Sequence, residues 1–475
     1  MVKLMSKPNL IYIITDQQRY DTINELGYDF MDTPNLDKFV REGITFTNCY
    51  TAGLSCAPSR GAIFTNYYPH TTGIIKNACN WKDSWFYDFK KAGYHTVNFG
   101  KMHTWPLNTP CGFVERYNVE NKDRFLEARY YFDEWDKALA SHGLIKQRRE
   151  EYRSREDYNQ SLGAFYWQLP EKLHSDIFVG NMACWWLKNY PKTEPLCMQI
   201  GFPGPHPPYD PVKRFADEYM DKKLDIEPIN KEDINNQPLA YKIYREHCYE
   251  VDHDSVTHHP EIKLKDRFRQ RAFYCANISM IDEKIGEIIK TLDNQDYLKN
   301  TIIVFTSDHG DCLGDHGHSQ KWTSYEQIVK VPMIIWGPGC GIPKGIKCDS
   351  LCQQFDISHM LLDICGLNLV KNYESISAFP FLNNNEWKGR EVVYAEQSKD
   401  GNFTGADFTS MVRTKEWKLT HFLGKPDGQH HDLKNDPREN INLWKDPGYK
   451  NIKNEMIDQL FEWRMYSNLH HSKIM

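Results

Sequence analysis

Short apolar runs alternate along the chain with amphipathic stretches. Residues 9–15 (NLIYIIT) form a β-branched apolar run that ends in Asp16, which is typical of a buried central strand. Four more runs share this character and precede polar, glycine-bearing or histidine-bearing segments: residues 96–99, 196–200, 301–306 and 331–336. Because strands that alternate with helices favour parallel pairing, the pattern predicts an α/β fold with a large, mostly parallel sheet sandwiched by helices.

Two stretches have clear helical spacing. Residues 36–42 follow Thr33-Pro34-Asn35 and stop at Gly43, so proline stands in the first turn and glycine at the end. Residues 272–292 carry apolar side chains along one face, namely Ile278, Ile281, Ile285, Ile288, Ile289 and Leu292. We predict an amphipathic helix at each position, the second of them long.

The pattern changes near Arg390. Short strand-like segments at residues 391–396, 410–413 and 417–422, a turn at 426–428 and an amphipathic stretch at 452–465 follow one another. We therefore predict a main domain over residues 1–388. Residues 389–475 should form a small α+β C-terminal subdomain with a short antiparallel sheet and a terminal helix.

Two segments, residues 117–173 and 232–265, have no motif that can be translated into a ligand. Residues 117–173 are rich in charged and aromatic side chains and resemble an insertion, which we interpret as a solvated helix on a rim. Within the second segment, residues 251–261 are acidic and hold His253, His258 and His259, which we expect to be exposed.

Composition excludes several classes of protein. The 475 residues contain 58 Lys and Arg against 64 Asp and Glu, and this mildly acidic balance argues against a general nucleic-acid binder. No apolar run is long enough to span a bilayer, so we expect no membrane partner. Residues 1–10 lack the features of a signal peptide, which predicts a cytoplasmic protein. The 13 cysteines have no regular spacing, so we expect most to be reduced and buried.

Polar residues that could ligate a metal follow two of the predicted strands. Asp16-Gln17 closes the first strand, and Asp308-His309 follows the strand at residues 301–306. In open α/β sheets, ligands bind beyond the carboxyl ends of the strands. Two carboxylates, an amide oxygen and an imidazole suit one divalent cation, and the oxygen-rich set favours Ca²⁺ or Mg²⁺ while the histidine leaves Mn²⁺ open.

The five residues 56–60 (CAPSR) are the most informative motif in the chain. Further segments occur in a fixed order around it: Asp16-Gln17, residues 100–103 (GKMH), 205–208 (PHPP), 308–310 (DHG), Lys321 after 314–317 (GDHG), and 432–440 (DLKNDPREN). Together they resemble the type I, formylglycine-dependent sulfatases of the alkaline phosphatase superfamily. In that family the cysteine of the motif is oxidised to formylglycine and becomes the nucleophile. The resemblance covers nearly the whole chain and implies that the main domain is catalytic.

The resemblance implies a role for each matched residue. The implied catalytic residues are Cys56, Arg60, Lys101, His103, His206 and Lys321. The implied sulfate contacts are Lys101, His206 and Lys321. The implied metal ligands are Asp16, Gln17, Asp308, His309 and the converted Cys56. Gln17 stands where many members have aspartate, and His309 where many have asparagine. His318, which lies close to Lys321 in the sequence, is a further candidate substrate contact.

The chemistry of a thiol and of an aldehyde hydrate explains why the modification is needed. A thiol could attack sulfur once but would remain as a stable thiosulfate ester, whereas an aldehyde hydrate offers one hydroxyl for attack and another for the release of sulfate. We therefore predict a metal-dependent sulfuric ester hydrolase with one divalent cation, Ca²⁺ in the first place. Its partners would be a small-molecule sulfate ester and a formylglycine-generating or anaerobic sulfatase-maturating enzyme.

Three hypotheses remain open from the sequence. The favoured one is hydrolysis of a small carbohydrate sulfate, with an aryl or steroid sulfate as second choice. The alternative is a phosphodiester or phosphonate monoester hydrolase of the same superfamily, which Gln17 and His309 also fit. The third is a non-catalytic binding protein in which Cys56 is never modified.

Overall fold

A computed structural model describes residues 7–124, 132–367, 372–384, 386–400 and 405–471. The strands are β1 Asn9–Asp16, β2 Ile44–Phe46, β3 Cys49–Tyr50, β4 His95–Gly100, β5 Glu115–Asn118, β6 Leu196–Pro205, β7 Thr301–Ser307, β8 Met333–Trp336, β9 Ile346–Cys348, β10 Cys352–Gln353, β11 Val393–Ser398, β12 Phe408–Arg413, β13 Trp417–Phe422 and β14 Gln429–Asp432. The helices are α1 Pro34–Glu42, α2 Cys56–Thr65, α3 Pro69–Thr72, α4 Phe86–Lys91, α5 Glu134–Ser141, α6 Arg149–Arg153, α7 Tyr158–Ser161, α8 Ser175–Asn189, α9 Lys213–Met220, α10 Lys231–Asn236, α11 Leu239–Glu250, α12 Leu264–Asn294, α13 Glu326–Val329, α14 Gln354–Ile364, α15 Phe379–Asn384 and α16 Lys450–His471.

The main sheet has eight strands in the order β5-β4-β6-β1-β7-β8-β2-β9. From β5 to β7 every neighbouring pair is parallel, while β8 runs antiparallel to both β7 and β2. All five strands predicted from apolar runs are present in this sheet. The predicted large, mostly parallel sheet is therefore confirmed, with one antiparallel strand that the apolar pattern could not reveal.

Helices cover both faces of the sheet because both faces are apolar. Along β1, Ile11 and Ile13 belong to one hydrophobic cluster, whereas Leu10, Tyr12 and Ile14 belong to another. The first cluster includes side chains of α1, α8, α9 and α12, and the second includes those of α2, α4 and α14. A central strand buried on both sides reads as a continuous apolar run, which is why the sequence pattern identifies it.

The second sheet is antiparallel, with the order β11-β12-β13-β14. Helix α16 packs on it through Met456 and Leu460, which contact the cluster containing Val412 and Leu419. The predicted C-terminal subdomain with an antiparallel sheet and a terminal helix is confirmed. Its predicted boundary after residue 388 stays a prediction.

The expectation of a solvated rim helix and an exposed loop is wrong in part. Within residues 117–173, of which 125–131 lie outside the described residues, helix α5 buries Trp135 and Leu139 in the main core. In the loop at 251–261, His258 is only 4% exposed, and its Nε2–H donates a hydrogen bond to the Gly317 carbonyl at 2.9 Å. Within the described residues, no helix has both the length and the apolar character that crossing a membrane requires.

Candidate active site

The carboxyl ends of β1 and β7 bring two acidic residues together. The two strands are parallel neighbours, paired from Asn9–Thr301 to Thr15–Ser307, so Asp16 and Asp308 emerge side by side. The backbone N–H of Gln17 donates to Asp308 Oδ1 at 2.9 Å, which joins the two strand ends directly.

Helix α2 brings Cys56 to the same place. Ser55 is extended, Cys56 is the first helical residue and Pro58 lies in the first turn, where its missing N–H costs nothing. Every residue of α2 is buried. The nucleophile candidate therefore stands at the positive end of a buried helix, which favours negative charge nearby.

The sulfur of Cys56 contacts three polar side chains. Its Sγ lies 3.5 Å from Asp16 Oδ1, 3.2 Å from His309 Nε2 and 3.3 Å from Lys321 Nζ. Burial, together with the Asp16 carboxylate, raises the pKa of the unmodified thiol to about 12. As a thiol, Cys56 is therefore protonated at neutral pH and a weak nucleophile.

Arg60, one turn along α2, connects the two strand ends. Its Nε donates to Asp308 Oδ2 at 2.8 Å, and its Nη2 donates to Asp16 Oδ2 at 3.1 Å. Its Nη1 donates to the Lys101 carbonyl at 2.9 Å. All the side chains in these two ion pairs are fully buried, so Arg60 fixes both carboxylates in a place where an unpaired charge would be costly.

Replacing Arg60 should therefore destabilise the fold. In Arg60→Met we expect the free energy of unfolding to fall by about 3–5 kcal/mol, because two buried carboxylates lose their partner. Urea denaturation measures this change. Arg41→Met, which removes an exposed pair with Glu25, is the control and should cost less than about 1 kcal/mol. Equal effects of the two substitutions would contradict this description of Arg60.

Four buried residues meet the geometric requirement for a cation site. Each of Asp16, Cys56, Asp308 and His309 offers one ligand atom within 4.8 Å of the others. The Nδ1 of His309 lies 2.8 Å from the Gly310 carbonyl and must carry the proton there, which leaves the lone pair on Nε2, facing Cys56. This carboxylate and imidazole set fits a divalent cation.

The amide of Gln17 is oriented by its neighbours. Its Nε2 donates to Asp311 Oδ2 at 2.7 Å, and the Tyr209 hydroxyl donates to the same oxygen at 2.6 Å. Its Oε1 accepts from Lys321 Nζ at 2.9 Å. A carbonyl oxygen has two lone pairs, so Gln17 keeps one for a cation.

A cleft of about 360 Å³ opens above Cys56. Lys101, His103, His206 and Lys321 all line it, so the structure brings the predicted sulfate contacts and the predicted nucleophile together. Lys101 directly follows β4, and a side chain at Gly201 would lie 1.9 Å from the Lys101 carbonyl oxygen, so glycine is required for this approach. Lys101 Nζ lies 2.9 Å from Asp16 Oδ2.

The charge of the site favours an anion. Beside Cys56 the buried carboxylates are Asp16 and Asp308 and the buried cations are Arg60, Lys101 and Lys321, and Glu120 and Asp254 are also buried in the cleft wall. Although burial alone would raise it, Lys101 and the other nearby cations hold the pKa of Asp16 well below its usual range. Beside Cys56 the cations outnumber the carboxylates by one, which favours a bound anion, and a divalent cation would add further positive charge.

His103 is held in a strained conformation. Its φ is 65°, which is uncommon for a residue with a side chain, and its backbone N–H donates to both Glu120 oxygens at 3.2 Å. The buried Nδ1 has no hydrogen-bond partner among the described residues. Burial and Lys101 lower the pKa of His103 well below its usual value, so the ring is neutral at pH 7 and can accept a proton.

His206 follows β6 and faces an aspartate. Its Nδ1 lies 2.7 Å from the Pro207 carbonyl, and its Nε2 lies 3.5 Å from Asp254 Oδ2. Burial and the ammonium of Lys321 lower the pKa of His206 well below its ordinary value. Because Nδ1 carries the proton for Pro207, the neutral ring presents an unprotonated Nε2 to the cleft.

One wall of the cleft comes from residues that the sequence analysis missed. Asp254 is buried and has a φ of 52°, and it accepts from Arg124 Nη1 at 2.7 Å and Arg149 Nη2 at 3.5 Å. Arg124 and Arg149 come from the segment that we interpreted as a solvated rim, and Asp254 from the loop that we expected to be exposed. No local pattern reveals such pairs, because their members are more than a hundred residues apart.

His318 lies elsewhere. It does not line the cleft, and its side chain is fully buried against Tyr241 and Tyr244. Its Nε2 lies 2.9 Å from Gln237 Oε1. The predicted substrate contact by His318 therefore has no support in this structure. His318 is close to Lys321 in the sequence, but its side chain lies outside the cleft.

Comparison with known families agrees with this geometry. The family model "Sulfatase" matches residues 8–367, and "N-sulphoglucosamine sulphohydrolase, C-terminal" matches residues 314–466. The chain belongs to the sulfatase family. The prediction of a sulfuric ester hydrolase, made from ordered motifs, is confirmed at this level.

Curated relatives of this sulfatase include enzymes with named substrates. An arylsulfatase of Clostridium perfringens is 30% identical over 475 residues, which cover 96% of this chain and 93% of the relative. An N-acetylglucosamine-6-O-sulfatase of Bacteroides thetaiotaomicron is 24% identical, and the alignment covers 96% of this chain and 86% of the relative.

Solved structures confirm the fold. A phosphonate monoester hydrolase of Agrobacterium radiobacter aligns with a TM-score of 0.78 at 22% identity, covering 97% of this chain and 96% of that one. A protein solved with its substrate D-glucosamine-2-N,6-O-disulfate aligns with a TM-score of 0.75 at 21% identity, and the alignment covers 98% of this chain and 100% of that one. The predicted alkaline phosphatase-like architecture is thus confirmed.

Proposed function

We propose that this sulfatase hydrolyses small carbohydrate sulfates to alcohol and inorganic sulfate after Cys56 has been converted to formylglycine. The observation that carries the proposal is the position of Cys56, which begins a buried helix and has its sulfur within 3.5 Å of Asp16, His309 and Lys321. The hydrated aldehyde would supply a hydroxyl that attacks sulfur, in place of a thiol that is protonated at neutral pH.

The donor set fits a divalent cation. Asp16, Asp308 and His309 would hold it together with the Gln17 amide oxygen and the converted side chain of Cys56. When bound, the cation would supply Lewis-acid chemistry that favours the ionised form of the attacking hydroxyl. Oxygen ligands favour Ca²⁺, and His309 keeps Mn²⁺ and Mg²⁺ as alternatives.

Lys101 and Lys321 would hold the sulfate group as donors, and the predicted contact of His206 would require a proton on its Nε2 when the anion is bound. All three line the cleft beside Cys56 and are buried, so their interactions with an anion are weakly screened by solvent. They would orient the sulfur toward the nucleophile and offset the charge that develops on the sulfate and the leaving oxygen.

The proton positions assign different roles to the cleft residues. Although burial opposes its charge, the carboxylates of Asp254, Asp16 and Asp308 raise the pKa of Lys321 above its ordinary value, so its ammonium stays protonated. We therefore assign the proton for the leaving oxygen to Lys321 rather than to His206, whose Nε2 is unprotonated. His103, neutral and with its Nδ1 free of partners among the described residues, would accept the proton that must leave before sulfate is released.

Substrate selectivity tests this proposal against the phosphonate alternative. A sulfate monoester offers three non-bridging oxygens to the ammonium groups of Lys101 and Lys321, whereas a phosphonate monoester or a phosphodiester offers two. Loss of one contact to a charged group costs about 1.5–3 kcal/mol, so kcat/KM for an aryl sulfate should exceed that for the matched phosphonate and phosphodiester at least about tenfold.

The comparison uses 4-nitrophenyl esters throughout, so the leaving group is constant. A higher kcat/KM for the phosphonate or the phosphodiester would favour the alternative hydrolase. Failure of enzyme with a converted Cys56 to hydrolyse any of the three esters, and also glucose 6-sulfate and glucosamine 6-sulfate, would contradict both enzymatic proposals and favour a binding protein.

A further inference from the structure

Two hydrogen-bond acceptors line the cleft beyond the sulfate contacts. Asn77 lies in the loop after α3, and Asp400 lies just after β11 in the C-terminal subdomain. Asn77 Nδ2 donates to Asp400 Oδ2 at 2.8 Å across 323 residues of chain. Ala78, the next residue, has a φ of 58°, so this loop holds a conformation that residues with side chains rarely adopt.

The pair has acceptor capacity that the described residues do not use. Asn77 Oδ1 is buried and has no partner among them. Asp400 receives hydrogen bonds from the side chain and backbone of Asn77, whereas a carboxylate has about four acceptor sites. Partial burial in the cleft wall raises the pKa of Asp400 above its ordinary value. A buried acceptor without a donor costs about 1–3 kcal/mol, so a ligand that brings donors is favoured here.

The cleft therefore presents two kinds of group with opposite preferences. The end beside Cys56 presents cationic donors, and Lys321 is close enough to Asp400 to affect the pKa of that carboxyl group. Trp105 and Trp322 also line the cleft and offer ring surfaces. A matching ligand is an anion at one end, with hydroxyl or amino groups a short distance away.

We propose that Asn77 and Asp400 form a subsite that recognises hydroxyl or ammonium groups on the alcohol part of the substrate. This inference rests on the proposed sulfate ester hydrolysis at Cys56. It makes the pair a determinant of selectivity for sulfated sugars over aryl sulfates, since an unsubstituted aryl ring has no donors to offer. The C-terminal subdomain thereby supplies a substrate contact to the cleft.

Selectivity ratios and binding test the subsite. We measure kcat/KM for glucose 6-sulfate, glucosamine 6-sulfate and 4-nitrophenyl sulfate. For each sugar sulfate, the selectivity ratio is its kcat/KM divided by that of 4-nitrophenyl sulfate. Asn77→Ala and Asp400→Asn should each lower this ratio about tenfold. If the recognised group is an ammonium, Asp400→Asn should affect glucosamine 6-sulfate several times more than glucose 6-sulfate; if it is a hydroxyl, both sugars should be affected alike.

Asp407→Asn, which removes an exposed carboxylate from the same subdomain, is the matched control and should leave the ratio unchanged.

Calorimetric binding of the two sugar sulfates and of 4-nitrophenyl sulfate to the Cys56→Ala protein separates this inference from the proposed function, because it needs no turnover. Loss of sugar binding in Asp400→Asn supports the subsite even in an inactive protein. Equal losses for sugar and aryl sulfates, no loss at all, or no preference of the parent protein for either sugar would overturn it.

Discussion

Replacing Cys56 by alanine is expected to reduce sulfate ester hydrolysis to background, a loss of at least about 10⁴-fold, which is the scale seen when a covalent nucleophile is removed. The cause is chemical rather than structural. The remaining cleft residues still bind the sulfate group, but no attacking group stands at the start of α2. Initial rates with 4-nitrophenyl sulfate measure the loss, and KM or the binding constant should change far less than kcat.

The matched control is Cys275→Ala, because Cys275 is also buried but lies in α12, within the main core. Both variants lose one buried sulfur and a similar, small amount of stability, but only Cys56→Ala should lose activity. Mass spectrometry adds an internal control. Trypsin releases residues 42–60 with both Cys49 and Cys56, and conversion should exchange sulfur for oxygen and remove two hydrogens at Cys56 alone. Activity above about a tenth of the parent in Cys56→Ala would refute its role.

The framework of this fold could be predicted because its signals are local. Central strands such as β1 and β7 are buried on both faces, so each is a continuous apolar run that ends in polar residues. The long helix α12 carries a repeating apolar face. Strand β8 also has the expected composition, but its antiparallel direction depends on the connection from β7, and apolar composition carries no information about direction.

The candidate site was predictable only where ordered motifs place its residues. Cys56 and Asp308 belong to segments that can be matched along the chain, and the parallel pairing of β1 with β7 brings the two predicted metal-ligand pairs together. Asp254 and Asp400 belong to no such motif. Each reaches the cleft through partners that are distant in sequence, 323 residues away in the case of Asn77 and Asp400. In our proposal, the chemistry of sulfate would therefore be carried by matched residues, whereas selectivity for the alcohol would depend on contacts that only the folded chain reveals.

Removal of divalent cations should abolish activity without unfolding the protein. Dialysis against a chelator is expected to lower kcat by at least about 10³-fold, because the attacking hydroxyl loses the charge that favours its ionised form. The fold should persist, since Arg60 and Lys101 already neutralise the carboxylates of Asp16 and Asp308. The free energy of unfolding should fall only by the amount that cation binding contributes, which is about 2.7 kcal/mol if the cation is present at a hundred times its Kd.

Restoration identifies the ion and its ligands. We expect Ca²⁺ to restore activity best at stoichiometric amounts, with Mn²⁺ better than Mg²⁺ if His309 is a ligand, because imidazole suits a transition metal more than a hard cation. Asp16→Asn should weaken cation binding measured by metal analysis after dialysis. Asp282→Asn should leave it unchanged, since Asp282 is buried but instead accepts from the Leu36 backbone N–H at 2.7 Å. Full activity in protein shown to be metal-free would exclude a catalytic cation, and the acidic pair would then serve only to hold Arg60 and Lys101 in place.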